Sequence, residues 1–430
     1  MNSKTYKRIG EFILLEKLNS GGMGEVWLAK SVGAFNVSRF VAIKMTLNHL
    51  QGVKAAQLFM DEAKLAINLQ HNNIVSVYDF KVEKGKFYLV MEYVHGTSLQ
   101  QLLEKRKGTD QSRLPLPIII FIIREIALGL DYAHHCTDRW SQKPLQLIHR
   151  DISPQNVLIS YEGNVKIIDF GIAKSKDKIE QTGDGIIKGN CSYMSPEQAS
   201  GQPLDLTSDL FSLGIILWEL VANDRLFYAE DLYATLKNAR EANVPDIRQF
   251  NPTVPAEIVR IIHKTLSVDR NARYRVGRDL AKDLTSFLSQ EFASFTQNDF
   301  AIFMKSSFAT EEKEISEKIK TYAEVINSGW KIAEEDDEAQ NNEPAEITIE
   351  LIEGISADEA SNKAIDLKSL LVGQEAFSAQ KKPVPSEQPK KTKVPIHVLL
   401  KRAADLLLKS VFIFIVIAII YFVFFKIAMR

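Results

Sequence analysis

The stretch HRDISPQN, residues 149–156, decides how the rest of this chain is interpreted. It places a carboxylate, Asp151, five residues before a carboxamide, Asn156, and apolar residues lie on both sides of it. A second short signal, DFG at residues 169–171, begins thirteen residues after Asn156 and also follows apolar residues. Carboxylate and amide oxygens are ligands that Mg²⁺ accepts, and a carboxylate beside a hydroxyl group can take its proton. Together the two signals predict phosphoryl transfer, with Asp151 as the base and Asn156 and Asp169 as metal ligands.

Composition and charge are those of an ordinary globular protein. The chain has 430 residues, 45% apolar and 25% charged, enough for two to three domains or one large domain with appendages. The net charge of −1 gives no reason to expect nucleic acid as a partner. The two cysteines, Cys136 and Cys191, are far apart in the sequence. This spacing argues against a disulfide scaffold and suits a reducing interior.

A glycine-rich segment near the N-terminus predicts a phosphate-binding hairpin. Residues 19–24, NSGGMG, separate two predicted strands at 12–18 and 25–29. Glycine lets backbone N–H groups approach phosphate oxygens because it has no Cβ atom. Glycine hairpins are common, so this segment alone leaves an ordinary turn as an equal alternative. The next apolar strand, 41–44, ends in Lys44, which is either a solvated strand end or a phosphate ligand.

Taken in order, these motifs resemble those of the protein kinase family. The sequence around residue 62 is similar to that of bacterial, eukaryotic-like (Hanks-type) serine/threonine kinases. The matching segments are VAIK at 41–44, HRD at 149–151, DFG at 169–171, SPE at 195–197 in place of the family's APE, DLFSLG at 209–214, and Arg273. The resemblance covers residues 6–288. It implies an α+β, two-lobed protein kinase fold with a small β-rich lobe and a large helical lobe. ATP and Mg²⁺ would bind between the lobes.

The resemblance also implies roles for individual residues. Lys44 would bind the α- and β-phosphates, and Glu62, on a predicted helix at 55–69, would pair with Lys44. Asp151 would be the catalytic base, with Asn156 and Asp169 holding Mg²⁺. The implied nucleotide contacts are Leu18, Asn19, Ser20, Gly21, Gly22, Met23, Gly24, Glu25, Val26, Ala42, Lys44, Glu92, Val94 and Leu158. Asn19 replaces the family's first glycine, and asparagine is the residue that best shares glycine's positive φ.

The large lobe carries further expectations. A long apolar segment at 118–133 predicts a buried helix, and a helical pattern at 280–308 is expected to pack on this lobe or trail from it. By the resemblance, Asp209 braces the catalytic loop and Arg273 pairs with Glu197.

Two positions depart from the family pattern. Ser153 stands where serine/threonine kinases usually have a lysine, and Asn190 stands where they usually have a threonine. The lysine would neutralise charge on the transferred group, so its absence removes one electrostatic contribution. These departures favour the alternative of a membrane-tethered pseudokinase scaffold that binds nucleotide or partners without transfer. The presence of Lys44, Asp151 and Asp169 favours an active enzyme. A tyrosine kinase is a weaker alternative. Tyrosine kinases also lack the lysine, but their sequence around this position does not resemble that of this chain.

A polar segment at 175–185 predicts a regulatory loop. Arg150, beside Asp151, is a cation of the type that binds phosphate through two hydrogen bonds. Thr182 lies in the middle of the loop next to glycine. We therefore expect two copies, meeting as a transient homodimer, to phosphorylate each other at Thr182. An exposed threonine without a role is the alternative.

The C-terminal third changes character. We expect a kinase domain at 6–290, a helical extension at 291–330, a mostly disordered juxtamembrane linker at 331–405 and a transmembrane helix at 406–428. The linker is acidic at first and later rich in proline and lysine, a composition typical of disorder, although a short module at 347–371 is an alternative.

An apolar run at 411–425 predicts the membrane anchor. It is shorter than the ~20 residues that a bilayer core requires, but Lys409 and Lys426 can extend their side chains to the interfaces at either end. Lysine and arginine are concentrated before the run, which predicts that the kinase domain faces the cytoplasm. We therefore expect a single-pass protein of the cell (inner) membrane, with ATP and serine- or threonine-containing proteins as partners and no nucleic acid.

Overall fold

The computed structural model describes residues 6–21, 24–32, 38–45, 63–83, 86–109, 112–138, 141–170, 191–324 and 332–334. All of them belong to one compact unit, Met1–Glu338. Several predictions lie outside the described residues: those on Gly22, Met23, Glu62 and Thr182, on the linker from 335 onward, and on the membrane anchor. Among the described residues, no helix has the length and apolar character needed to cross a membrane.

The small lobe is built on a sheet of seven strands. They are β1 Tyr6–Ile9, β2 Phe12–Gly21, β3 Gly24–Ser31, β4 Phe40–Met45, β5 Val77–Glu83, β6 Lys86–Glu92 and β10 Ile332–Glu334. Their order is β10-β1-β2-β3-β4-β6-β5. Neighbours are antiparallel except for β10 and β1, which are parallel. The strands predicted at 12–18 and 25–29 are confirmed as parts of β2 and β3.

Both faces of the small-lobe sheet are covered, and β2 shows this best. Successive side chains of a strand point to opposite faces. Phe12 and Leu14 belong to one buried cluster, whereas Ile13 and Leu15 belong to another on the opposite face. A continuous apolar run, rather than an alternating one, is therefore what this strand requires.

The large lobe is mainly helical. Its helices, with those of the extension, are α1 Leu99–Arg106, α2 Leu116–His135, α3 Pro196–Ala199, α4 Thr207–Ala222, α5 Leu232–Glu241, α6 Ala256–Thr265, α7 Gly277–Glu291, α8 Gln297–Ser307 and α9 Ala309–Glu324. Every residue of α4 is buried, and α2 is buried along most of its length. A helix that is apolar on all sides belongs in a core. The buried helix predicted at 118–133 is thus confirmed as part of α2.

The helical pattern predicted at 280–308 is divided between two helices. The helix α7 ends at Glu291, and α8 begins after Thr296. Thr296 accepts a hydrogen bond from the backbone of Asp299, and Asp299 accepts one from the backbone of Thr296. This reciprocal cap satisfies N–H groups that a helix start otherwise leaves without partners, so a new helix begins there. The predicted helix at 55–69 is described only from residue 63, and it is helical to residue 66.

A small sheet places the catalytic stretch next to the small lobe. Its strands are β7 Gly96–Ser98, β8 Val157–Ser160 and β9 Val165–Ile167, in that order. Residues 149–156 connect α2 to β8 and end in a 3-10 turn, Pro154–Asn156. The residues after β9 include Asp169. The predicted two-lobed α+β fold is confirmed. Residues 149–156 and Asp169 lie at the junction of the lobes.

Candidate active site

Asn156 holds the side chain of Asp151. The Nδ2 atom of Asn156 donates to the backbone oxygen of Asp151 at 2.8 Å and to its carboxylate Oδ2 at 3.0 Å. Both distances are ordinary for hydrogen bonds, and the second is made to a charged acceptor. The 3-10 turn brings the two residues together, because it folds the chain back within a few residues. The amide oxygen of Asn156 is thereby turned away from Asp151.

Asp209, at the start of α4, holds the backbone of the catalytic loop. Its carboxylate accepts hydrogen bonds from the N–H groups of His149, at 2.7 Å, and Arg150, at 2.8 Å. His134 Nε2 contacts the same carboxylate at 2.8 Å. Arg150 has φ of +65°, which is unfavourable for a residue other than glycine. The predicted bracing role of Asp209 is confirmed, and it holds a backbone conformation that local sequence does not favour.

Burial and hydrogen bonding act in opposite directions on Asp209. Its side chain is 1% exposed, and burial alone would raise its pKa. The hydrogen bond and charge of His134 outweigh burial, so the pKa lies below its ordinary value. The carboxylate is therefore ionised, and an ionised carboxylate is the form that these three contacts favour. No motif pointed to His134, since its contact with Asp209 joins residues 75 positions apart.

His149 connects the catalytic loop to the second signal. Its ring lies 4.5 Å from the ring of Phe170, and its Nε2 atom lies 3.0 Å from the backbone oxygen of Ile168. Burial lowers the pKa of His149, so the ring is neutral and Nε2–H donates to this oxygen. The two segments are therefore in direct contact through His149.

Lys44 and Asp169 meet across the junction of the lobes. The Nζ atom of Lys44, on β4, lies 2.8 Å from Oδ1 of Asp169, just beyond β9. The lysine side chain is 9% exposed and the aspartate side chain 41%. Asp169 also has a positive φ, of +55°. The structure therefore brings together the predicted phosphate ligand and one predicted metal ligand.

The described nucleotide-contact residues lie on strands around this pair. Residues 18–21 end β2, and residues 24–26 begin β3. Val26 is opposite Lys44 in the β3–β4 register, and Ala42 is opposite Met91 in the β4–β6 register. Leu158 lies on β8, and Val94 follows β6. These placements agree with one cleft, but the individual contacts with nucleotide stay predictions.

Glu92, which the resemblance implies as a nucleotide contact, also forms hydrogen bonds within the protein. Its carboxylate accepts from Lys166 Nζ at 3.0 Å and from the backbone N–H of Ser76 at 3.2 Å. Glu92 ends β6 in the small lobe, whereas Lys166 lies on β9 in the large lobe. Within the described residues, this ion pair joins the lobes in addition to the pair of Lys44 with Asp169.

Glu197, in the SPE segment at 195–197, forms a buried ion pair with Arg273. Arg273 donates to both carboxylate oxygens of Glu197, at 2.8 and 3.1 Å, and Ser208 donates to one of them at 2.7 Å. Burial alone would raise the pKa of Glu197, but these hydrogen bonds and the charge of Arg273 lower it to about 2. The predicted pairing of Arg273 with Glu197 is confirmed.

Gln198 is a site residue that sequence reasoning missed. Its Nε2 atom donates to the backbone oxygen of Arg150 at 2.9 Å, which links α3 to the catalytic loop. Its side-chain oxygen accepts from the backbone N–H of Ser195, and Ser195 Oγ accepts from the N–H of Gln198. A serine followed three residues later by glutamine is the sequence pattern of a capping box. That pattern was the signal available.

The chemistry of the donor set fits Mg²⁺. Asn156 and Asp169 supply oxygen atoms, and Mg²⁺ is commonly bound by one or two protein groups together with phosphates and water. Within the described part of the chain, no cluster of three histidine, cysteine, aspartate or glutamate side chains is placed to hold a metal ion.

Comparisons with known proteins agree with this geometry. The family model described as Protein kinase domain matches residues 12–285. The Tyrosine-protein kinase MasK of Myxococcus xanthus is 37% identical over 282 residues, covering 65% of this chain and 43% of the relative. The Serine/threonine-protein kinase PrkC of Bacillus subtilis is 33% identical over 280 residues, covering 65% of this chain and 41% of the relative.

Similar coverage is found with other relatives. The Serine/threonine-protein kinase PknA of Mycobacterium tuberculosis is 33% identical over 279 residues, covering 63% of this chain and 60% of the relative. This chain thus spans less than two thirds of the length of these curated relatives. Among solved structures, the PknI kinase domain of Mycobacterium tuberculosis superposes with a TM-score of 0.49 at 22% identity, covering 66% of this chain and 98% of that one.

Proposed function

Because this chain belongs to the protein kinase family, we propose that it transfers the γ-phosphate of ATP to hydroxyl groups of proteins. The observation that carries the proposal is the meeting of Lys44 with Asp169 beside the Asp151–Asn156 pair. These are the cation, the carboxylates and the amide that the reaction requires.

Each side chain contributes a separate step. Lys44 binds phosphate oxygens, and its low exposure strengthens the attraction because less water screens the charge. Asp151 orients the attacking hydroxyl group and accepts its proton, while Asn156 keeps the carboxylate in place. Asp209 maintains the backbone from which Asp151 extends. Mg²⁺, when bound by Asn156 and Asp169, would neutralise phosphate charge.

Serine and threonine are the hydroxyl groups we favour. The relatives PrkC and PknA are named serine/threonine-protein kinases, and they support this assignment. Tyrosine is the second candidate, because MasK, at 37% identity, is named a tyrosine-protein kinase. Ser153, in the usual place of a lysine, agrees with that second candidate.

We also propose that the chain is tethered to the membrane by a helix at 406–428, with the kinase domain in the cytoplasm. The proposal is supported by the apolar run at 411–425 and by the basic residues before it. Tethered copies diffuse in one plane, and frequent encounters there favour autophosphorylation between copies.

One experiment distinguishes these functions. The full chain, purified in detergent, is incubated with Mg²⁺, labelled ATP and a protein that offers serine, threonine and tyrosine. Acid hydrolysis then identifies the labelled residues. Phosphoserine or phosphothreonine supports the main proposal, and phosphotyrosine alone supports the second candidate. Asp151→Asn, which keeps the side chain's size, should lower transfer by about 10²–10⁴-fold. Nucleotide binding without any transfer by the wild-type chain would establish the scaffold alternative and refute the enzyme.

A further inference from the structure

The helix α9 contacts both lobes. It lies at Ala309–Glu324, beyond the end of the family match at residue 285. A helix of this length spans about 24 Å at 1.5 Å per residue. Its first turn lies against the large lobe and its last turn against the small lobe, as the following contacts show.

The first turn is fixed to the large lobe near the connection between the lobes. Glu311 forms an ion pair with Lys105 of α1, and the Nζ atom of Lys105 lies 4.6 Å from the ring centroid of Phe308. Phe308 lies 6.1 Å from Tyr161, whose ring meets that of His95 edge to face at 5.1 Å. His95 belongs to the segment that joins β6 to β7, so this end of α9 is fixed where the lobes connect.

The C-terminal half of α9 is fixed to the small lobe by two side chains of the sheet. Glu16 on β2 accepts from Lys318 Nζ at 2.8 Å and from the Tyr322 hydroxyl at 3.2 Å. Lys30 on β3 donates to the backbone oxygens of Tyr322, at 3.4 Å, and Ala323, at 2.5 Å. The last carbonyl groups of a helix lack partners within the helix, and a cation is favourable there. Lys30 is 4% exposed, so this cap is buried.

Packing reinforces the polar contacts. Tyr322 is 7% exposed and belongs to a buried cluster with Tyr6, Ile13, Leu15 and Leu28, against which Tyr93 of the connection packs. The rings of Tyr6 and Tyr322 meet edge to face at 6.3 Å. Burial, together with the charge of Glu16, raises the pKa of Tyr322 to about 12. The hydroxyl group therefore stays protonated and donates to Glu16.

The strands that α9 contacts are those that carry the glycine-rich hairpin. Glu16 precedes Leu18 by two residues, and Lys30 follows Val26 by four. The β2–β3 pairing shifts register on both sides of Glu16, between Leu14 and Glu16 and between Lys17 and Asn19. Irregular pairing of this kind bends a strand and leaves its direction dependent on other contacts.

We propose that α9 is an interlobe strut that sets the distance between the glycine-rich hairpin and the catalytic loop. Glu16, Lys30 and Tyr322 are then positioning residues for ATP, although none of them belongs to the kinase motifs. This inference rests on the proposed transfer from ATP. A strut differs from a purely stabilising helix in its effect on substrates. Loss of the strut should raise the KM for ATP more than the KM for the acceptor protein.

Two variants of the full chain test the strut. Lys318→Glu places a second carboxylate beside Glu16, and Tyr322→Ala removes the aromatic anchor. Each should raise the KM for ATP by about threefold to tenfold, equivalent to roughly 1 kcal/mol, with a smaller change in the KM for the acceptor protein. Exchanging both charges, in Glu16→Lys with Lys318→Glu, should recover part of the loss, because the ion pair returns but a lysine at 16 cannot accept from the Tyr322 hydroxyl. Lys320→Glu is the matched control, because Lys320 is exposed on the same helix and forms no ion pair within the described residues.

A second measurement separates the strut from the proposed function. Hydrogen exchange of the amides at 12–31 should be faster in both variants than in the wild-type chain and the control. Folded variants with unchanged KM for ATP and unchanged exchange would overturn the strut while leaving kinase activity intact. Should the wild-type chain transfer no phosphate, the proposed function fails. The affinity for ATP then decides the strut: weaker binding in both variants than in Lys320→Glu supports it, and equal binding overturns it.

Discussion

The Nζ atom of Lys44 lies 2.8 Å from the Oδ1 atom of Asp169, so a cation of the small lobe and a carboxylate of the large lobe share one hydrogen bond. Both groups are predicted ligands of the same nucleotide complex. Phosphate oxygens would attract Lys44, and magnesium would attract Asp169, so nucleotide binding would separate the two side chains. We therefore expect this contact to serve the reaction more than the stability of the fold.

Lys44→Met should consequently abolish transfer with little effect on folding. The carboxylate of Asp169 is 41% exposed, and ion pairs at such positions contribute at most about 1 kcal/mol. Labelled transfer and the midpoint of urea unfolding measure the two effects. Full activity in this variant would show that Lys44 does not bind the phosphates.

Asp209→Asn should act in the opposite way, mainly on stability. The amide removes the charge that pairs with His134. Its NH2 group would also face the backbone N–H groups of His149 and Arg150, which are donors themselves. Breaking a buried, hydrogen-bonded charge in this manner costs about 3–5 kcal/mol of the free energy of unfolding. Asp279→Asn, at an exposed position in the first turn of α7, is the matched control. A urea midpoint equal to that of the control would contradict the bracing role.

The Glu197–Arg273 pair predicts a dependence of stability on pH. The pKa of Glu197 is lowered from 4.5 to about 2 in the folded chain. A lowered carboxyl pKa contributes stability that is present above the unfolded value and is lost as pH falls through the folded value. The difference in unfolding free energy between wild type and Glu197→Gln should thus be constant above pH 4.5 and shrink towards pH 2. A difference that does not change between these pH values would argue against the ion pair as its source.

Deleting residues 411–430 tests the membrane tether. The shortened chain should move from the membrane fraction to the soluble fraction while keeping its transfer activity in solution. Should it still sediment with membranes, the basic residues before the apolar run or another segment must bind the lipid.

Thr182 is the expected site of autophosphorylation. A phosphate adds about −1.5 to −2 charge, and Arg150 is an arginine that can pair with it. Mass spectrometry should find phosphate on Thr182 in the wild-type chain and not in Asp151→Asn. A chain that is fully active with Thr182 unmodified would remove the residue from regulation.

The sequence predicted those parts of the site whose residues lie close together along the chain. Asp151 and Asn156 interact within one turn of chain, and Lys44 ends a strand whose apolar run is visible in the sequence. The buried helix α2 was predictable because residues 118–133 are apolar except for Arg124, Glu125, Asp131 and a few small or aromatic residues, and the apolar positions recur at helical spacing. Arg150 is different, since its positive φ depends on Asp209, 59 residues later.

Contacts between distant elements carried no such signal. Lys30 caps a helix that lies 292 residues further along the chain, and nothing in the sequence of either segment identifies the other. The helical pattern at 280–308 did not indicate where α7 ends and α8 begins. Asp299 stands where the capping pattern usually has glutamate or glutamine, so the pattern does not mark Thr296 as a helix start.

The pairing of β10 with β1 has a consequence for how this protein is made. Tyr6, Lys7 and Arg8 are in register with Ile332, Ala333 and Glu334, so the first strand is joined by nearly the last described residues. A chain emerging from the ribosome must therefore complete the whole large lobe before the sheet of the small lobe is complete. A polypeptide that stopped at the end of the family match would leave the outer backbone of β1 unpaired, and an unpaired edge is a template for association with other chains.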